Sequence, residues 1–169
     1  MDATVINAIK NRRSIREYTD TPLTKDQLHT IIEAGCWAPS GLNNQPWRFV
    51  TITKDIIKNQ LSELTHYGQI IKTAPALIAV YLDTKKMYDA VKDLQSAGAC
   101  IQNMLLAAEA IGLGGVWLGQ ILKNKDKVNT VLELTDVYDL MAILAFGHPE
   151  HRNQVSTRKP VNQFLLKES

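Results

Sequence analysis

The sequence predicts a single domain of helices and strands, either an α/β or an α+β fold. Two continuous apolar runs, residues 76–82 and 140–146, are bounded by proline, aspartate or glycine, as is typical of strands buried on both faces. Segments with helical periodicity precede and separate these runs. The length of 169 residues fits one domain with a sizeable core, so we take residues 1–169 as one unit.

The composition is that of an ordinary globular protein, with 45% hydrophobic residues, 21% charged residues and a net charge of +2. This charge is too small to indicate nucleic-acid binding. No signal peptide or membrane-spanning run is recognised, so we expect no membrane association. Cys36 and Cys100 lack the spacing of a disulfide framework or a zinc site, and the cytoplasm is the expected compartment.

The clearest helix start is a capping box, residues 24–27, in which Thr24 and Gln27 occupy the two capping positions. The helix runs to Ala38, and its apolar periodicity predicts that Cys36 is buried. Weaker helical patterns cover residues 3–11, a segment from Asp55 to a turn at 66–68, and residues 127–134.

A basic cluster follows the first helix and contains Arg12, Arg13, Ser14 and Arg16. In an extended backbone Arg12, Ser14 and Arg16 share one face and direct two guanidiniums and a hydroxyl at a single phosphate. The alternative is a solvated surface with ordinary ion pairs. The phosphate interpretation requires a second basic element elsewhere in the chain.

A stiff polar loop occupies residues 38–47, between the second helix and a strand expected at about 48–53. Pro39 and Pro46 end regular hydrogen bonding on either side of it. The loop carries four polar side chains, Ser40, Asn43, Asn44 and Gln45. Such a loop suits ligand binding, although an ordinary turn would have the same composition.

Residues 93–111 form a helix that is apolar almost all round. Its small residues 97–99 would let a second helix approach closely, so we predict that it pairs with its counterpart in a second subunit. The alternative is a core helix of one monomer.

The glycine-rich stretch 112–119 ends this helix and begins a short strand, with glycines that allow close backbone approach to a flat ligand. It follows a helix, so it is not a dinucleotide-binding fingerprint. The polar tail from residue 148 carries a second basic cluster, Arg152, Arg158 and Lys159. His148 and His151 are separated by Pro149, and with no carboxylate evident nearby we expect no metal.

Four of these blocks, in this order, resemble the FMN-dependent nitroreductases: residues 12–16, 39–47, 107–119 and 158–160. The resemblance covers nearly the whole chain. It implies an α+β fold with a central, mainly antiparallel β-sheet flanked by helices. It also implies a homodimer with the long buried helix at its interface and two FMN sites, each built from both chains.

The resemblance also implies roles for individual residues. Arg12, Ser14 and Arg16 would hold the phosphate, ribityl chain and pyrimidine edge of FMN, with Arg13 in the same block and Arg158 as a further phosphate partner. The other subunit would contribute Pro39, Ser40, Gly41 and Asn43. The segment lining the reactive face near flavin N5 would contain Gly115, Trp117, Leu118 and Gly119.

The implied reaction has two half-reactions, hydride transfer from NADH or NADPH to FMN and then transfer to a small acceptor such as a nitroaromatic or a quinone. The flavin carries the chemistry, so no catalytic side chain is expected. Many family members carry an inserted helical segment over the flavin, for which residues 53–93 offer no room, and the contact made near residues 67–69 is left open. Two alternatives remain: a flavin-binding or flavin-modifying protein without this activity, and a non-enzymatic dimeric interaction module.

Overall fold

The computed structural model describes residues 4–168 and has an α+β architecture. Its sheet contains four strands in the order β1-β2-β4-β3, and every neighbouring pair is antiparallel. The strands are β1 (Trp47–Ile52), β2 (Ala76–Asp83), β3 (Gly114–Leu118) and β4 (Tyr138–Gly147). The predicted antiparallel sheet is therefore confirmed, and the two continuous apolar runs form its central strands, β2 and β4.

Helices cover both faces of the sheet. They are α1 (Thr4–Asn11), α2 (Lys25–Cys36), α3 (Asp55–Ser62), α4 (Gly68–Thr73), α5 (Ala90–Ala110) and α6 (Lys125–Val131). The predicted capping box begins α2: Gln27 N donates to Thr24 Oγ1 over 3.1 Å, and Thr24 N donates to Gln27 Oε1 over 2.9 Å. No helix of the described residues is long and apolar enough to span a bilayer.

The alternation of side chains along β2 divides the core into two layers. Leu77, Ala79 and Tyr81 face α3, α4 and α6. Ala76, Ile78 and Val80 face α2 and α5. Because both faces are covered, β2 is apolar without alternation, as the sequence predicted.

The helix α5 leaves one side uncovered in the single chain. Val91 is 65% exposed and Leu94 51% exposed, and a Cβ added at Gly98 would meet no atom within 4 Å. The prediction of a helix buried on most sides is therefore met on the sides that face the sheet and α2, but not on this open side. Apolar side chains on an open helix face are a typical sign of an interface.

Several boundaries and one burial prediction were wrong. The helix α5 begins at Ala90 because Asp89 caps it, its Oδ1 accepting from Lys92 N over 2.9 Å. Residues 66–68 lead into the helix α4, which the sequence analysis missed, and α6 covers Lys125–Val131 rather than 127–134. Cys36, expected in the core, is exposed because the buried face of α2 runs through Leu28, Ile31 and Gly35, and Cys36 lies about 100° around the helix from Gly35.

Candidate functional site

The basic cluster that follows α1 lies alongside β3. Ile15 N donates to the carbonyl oxygen of Gly115 over 3.1 Å. Ser14 forms an isolated parallel β-bridge with the same glycine. The buried side chain of Tyr18 anchors the segment, its hydroxyl oxygen lying 2.6 Å from Ile15 O and 3.1 Å from Ala145 O. Two sequence blocks that are a hundred residues apart, residues 12–16 and 112–119, thus meet at one edge of the sheet.

Close packing explains the glycines of β3. A Cβ at Gly114 would lie 2.7 Å from the Ile15 side chain, and a Cβ at Gly115 would lie 2.7 Å from the Phe146 ring. Both neighbours are almost fully buried and cannot move aside. These two glycines are therefore required by protein packing, whereas Gly119 has open space, its nearest such atom being 3.9 Å away in Trp117.

Near the carboxyl end of α5, the arginine side chains outnumber the carboxylates. Burial, reinforced by the charges of Arg158 and Arg13, lowers the pKa of the Arg12 guanidinium, and Glu109 partly opposes this. Among the described residues, no carboxylate oxygen lies within 4.0 Å of Arg12 or Arg158. Neighbouring guanidiniums that repel each other favour a bound anion.

Arg158 and the other arginines near this point also bond to protein groups. Arg158 Nη1 donates to Ser156 Oγ and to the carbonyl oxygen of Thr157. Arg13 Nη1 donates to the carbonyl oxygens of Lys10 (2.7 Å) and Arg12 (2.9 Å), and its buried Nε has no partner. Arg152 Nη1 binds both carboxylate oxygens of Glu109 at 3.0 and 2.9 Å. Arg152, grouped with the basic tail in the sequence, is thus paired. Arg16 is exposed, with Nη1 3.3 Å from the carbonyl oxygen of Ser14.

The polar loop adopts an unusual backbone. Leu42, Asn43 and Gln45 have φ values of 53°, 54° and 45°, in the left-handed region that non-glycine residues rarely occupy. Ser40 Oγ accepts a hydrogen bond from Gln45 N over 3.1 Å and closes the loop. Such a conformation persists only where the surroundings hold it.

Asp93 stabilises this loop conformation through hydrogen bonds. Its role was not predicted from the sequence. Its carboxylate is 0% exposed. Oδ1 accepts from Asn44 Nδ2 over 2.7 Å, and Oδ2 accepts from the backbone N–H groups of Tyr88 (2.9 Å) and Asp89 (3.0 Å). Burial alone would raise the pKa of Asp93, but these hydrogen bonds and the charge of Lys92 lower it below its ordinary value. The carboxylate joins the loop to the β2–α5 connection.

Tyr88 from that connection lies against Gly41. A Cβ at Gly41 would fall 1.8 Å from the Tyr88 hydroxyl oxygen, so only glycine permits this contact. Lys92 Nζ lies 5.3 Å from the centre of the Tyr88 ring. A cavity of about 290 Å³ opens between these residues and the loop, and Pro39 and Ser40 line it.

Trp117 lies on the α5 side of β3 and is 44% exposed, whereas Leu118 is buried on the other face. With Leu94 and Gly98 of α5, Trp117 lines a cavity of about 440 Å³. The ion pair between Lys125 Nζ and Asp139 Oδ1, 2.7 Å long, lies at the same cavity.

The candidate residues form two groups at opposite ends of α5. The arginine half-site (Arg12, Ser14, Gly115 and Arg158) lies near Glu109, and the loop half-site (Pro39, Ser40, Gly41 and Asn43) lies near Lys92. Glu109 is seventeen positions after Lys92 in α5, which corresponds to about 25 Å along the axis. One chain does not bring the two half-sites together.

His151 has carboxylate neighbours that sequence analysis did not detect. Its Nδ1 lies 3.5 Å from Glu17 Oε2, and ligand atoms of Glu17, Glu150 and His151 lie within 4.8 Å of one another. A backbone hydrogen bond from Glu150 N to Glu17 O brings the two segments together. The expectation that no carboxylate lies nearby was therefore wrong.

Comparison with known proteins identifies the family. The sequence profile of the nitroreductase family matches residues 9–68 and 57–148. The chain belongs to the nitroreductase family, and this confirms the resemblance inferred from the sequence.

Individual relatives agree with this family assignment. The chain is 31% identical over 174 residues to a Bacillus subtilis FMN reductase [NAD(P)H], covering 92% of this chain and 70% of the relative. A Desulfovibrio desulfuricans crystal structure, assigned to the nitroreductases and solved in complex with FMN, is 44% identical with a TM-score of 0.95 over 100% of this chain and 99% of that one. The Vibrio harveyi NADPH:FMN oxidoreductase complexed with NAD⁺ is 26% identical with a TM-score of 0.88, covering 98% and 77%.

Proposed function

We propose that this protein is an FMN-dependent oxidoreductase that takes hydride from NADH or NADPH and reduces a small acceptor, such as a nitroaromatic or a quinone, in a ping-pong cycle. The assignment to the FMN-dependent NAD(P)H oxidoreductases follows from the family and from relatives named for that activity. When bound, FMN accepts the hydride at N5 and supplies the electrons that reduce the acceptor.

The observation that carries this proposal is that the basic block 12–16 lies along β3 at Gly115, where Arg12 also feels the charge of Arg158. Among the described residues, no carboxylate oxygen is within 4.0 Å of either arginine. Two guanidiniums and the neighbouring Ser14 suit the phosphate of FMN. Among the described residues Arg13 donates only through Nη1, and we propose that its guanidinium adds to the positive charge around the same anion. Arg16, close by and exposed, would stabilise negative charge at the pyrimidine edge.

The segment from Gly115 to Gly119 is proposed to lie along the flavin ring. It begins at the backbone contact with Ser14, so its residues continue from the phosphate-binding group. Trp117 presents a half-exposed indole, Gly119 leaves open space, and the buried Leu118 fixes the strand between them. A flat apolar ring fits such a surface.

We further propose a homodimer that completes each site. The open side of α5 runs between the two half-sites, and a twofold axis near its middle would place the loop of one chain against the arginines of the other. Trp37 (81% exposed) lines a second cavity with Leu106 and Ala110 of α5, and Leu42 is 86% exposed. Large apolar side chains this exposed support burial by a second copy. Ser40 and Asn43 would then contact the neighbour's FMN.

The proposed location is the cytoplasm, a reducing compartment, because Cys36 and Cys100 are both free thiols. Burial raises the pKa of Cys100 to about 12, which keeps this thiol protonated and unreactive.

The absorption spectrum of the purified protein tests the function. We expect flavin bands that bleach when NADH or NADPH is added without oxygen and return when a quinone or nitroaromatic follows. Protein that is colourless and takes up no FMN would refute flavin binding. Bound FMN that neither NADH nor NADPH reduces would instead indicate a flavin-binding or flavin-modifying relative without this activity.

A further inference from the structure

We propose that Tyr88 and Lys92 form the acceptor-recognition part of the site and select a planar acceptor that carries an anionic group, such as an aromatic carboxylate. The inference rests on the proposed function and specifies its substrate class. It concerns residues of the β2–α5 connection and the start of α5, which the sequence motifs do not include.

The location of the cavity supports this role. The cavity of about 290 Å³ is bounded on one side by Pro39, Ser40 and Gly41 and on the other by Tyr88 and Lys92. The first three residues are proposed to face the flavin of the neighbouring subunit. A molecule that enters the cavity therefore lies next to the flavin and is in a position to be reduced.

Tyr88 provides a flat surface whose position is fixed. Its backbone N–H donates to the buried carboxylate of Asp93, which also holds Asn44 of the loop. The ring lies against Gly41, where any side chain would collide with it, and 42% of the residue is exposed. A partly exposed ring that rests against the loop can contact a planar molecule with little loss of conformational entropy.

Lys92 places a positive charge over one face of the Tyr88 ring. Its Nζ lies 5.3 Å from the Tyr88 ring centre, and among the described residues no carboxylate oxygen is within 4.0 Å of it. The adjacent Asp93 carboxylate already accepts three hydrogen bonds. A cation next to an aromatic face binds a ring with an anionic substituent better than a neutral ring.

Benzoate and its neutral analogue benzamide test the proposal as probes of the flavin-loaded protein. Calorimetry gives the dissociation constants, and the change in flavin absorbance shows whether the probe lies beside the flavin. We expect benzoate to bind about tenfold tighter than benzamide. Lys92→Gln should abolish this preference, and Tyr88→Leu should weaken both probes. Lys85→Gln, which alters an exposed lysine of the same connection, should preserve the preference.

The anionic group could also belong to the hydride donor, whose phosphates offer the same chemistry. Under the proposal, Lys92→Gln weakens benzoate binding by a larger factor than the binding of NADH or NADPH. Weakened NADH or NADPH binding with unchanged benzoate binding would overturn it, as would equal binding of benzoate and benzamide to the wild type. A colourless protein would refute the proposed function as well, whereas a flavin-loaded protein indifferent to probe charge would refute only this inference.

Discussion

Replacement of Asp93 by asparagine should weaken both the fold and the cofactor site. The carboxylate is fully buried and accepts hydrogen bonds from Tyr88 N, Asp89 N and Asn44 Nδ2. An asparagine oxygen can keep the two backbone donors, but its amide group then faces the amide group of Asn44. One charge-assisted hydrogen bond is lost, which costs about 1.5–3 kcal/mol, so we expect a loss of roughly 2 kcal/mol in the free energy of unfolding.

The pH dependence provides a second measurement. Because the pKa of Asp93 is lower in the folded state than in the unfolded state, the unfolded chain binds more protons as the pH falls. The carboxylate therefore stabilises the fold above the unfolded pKa of about 3.9 and ceases to do so as the pH falls through the folded pKa. The stability difference between wild type and Asp93→Asn should shrink below about pH 4.

Urea unfolding followed by circular dichroism, at pH 7 and at decreasing pH, measures these differences. Asp126→Asn is the matched control because Asp126 is exposed in the first turn of α6. FMN titration adds a functional readout, since a loosened loop should bind the cofactor less tightly. Two results would refute the proposed role of Asp93 in holding the loop. One is a loss in the free energy of unfolding below about 0.5 kcal/mol, the usual range of a surface substitution. The other is a stability difference that does not depend on pH.

Three further substitutions test other parts of the structure. Arg12→Ala should raise the dissociation constant of FMN about tenfold to a hundredfold, with Arg12→Lys intermediate; unchanged affinity by fluorescence titration would place this arginine outside the phosphate site. A side chain at Gly98 meets open space in one chain, so a monomer would tolerate Gly98→Leu. A dimer paired through α5 should instead dissociate, as measured by light scattering, and release FMN. Gly114→Ala should cost roughly 1–3 kcal/mol in urea unfolding because its Cβ would press on the buried Ile15, whereas Gly119→Ala should be nearly neutral; equal effects would contradict the packing argument.

Local rules predicted much of the fold. The capping box at Thr24 and Gln27 depends only on neighbouring residues, and it gave the start of α2 correctly. The strands β2 and β4 are apolar throughout because helices cover both faces of the sheet, and this property is visible in the sequence. The helix α4 has six residues, too few to show a helical period, and it was missed.

The missed features depend on distant residues. Asp93 is one carboxylate near the start of an apolar helix, where a solvent-exposed position is the ordinary expectation. Its partner Asn44 is 49 residues away, and only the packing of the loop against α5 brings the two together. In the same way, Gly114 suggested a ligand contact in the sequence, but its actual constraint is Ile15, almost a hundred residues earlier. Local patterns identify the residue types of a site but not their contacts.

The two FMN-binding motifs lie near opposite ends of α5. The length of this helix explains why a single chain does not complete the proposed FMN site. The motif at 12–16 and the motif at 39–47 both contain groups suited to FMN, yet the chain places them about 25 Å apart along this helix. Movement of either motif within one chain could not close that distance. Residues 12–16 are hydrogen-bonded to β3, and the loop is hydrogen-bonded to the buried Asp93. In the proposed homodimer, a second copy related by a twofold axis across the open side of α5 would bring the two groups together without any change in either chain. Cofactor binding would then depend on assembly, and dilution that separates the subunits should release FMN.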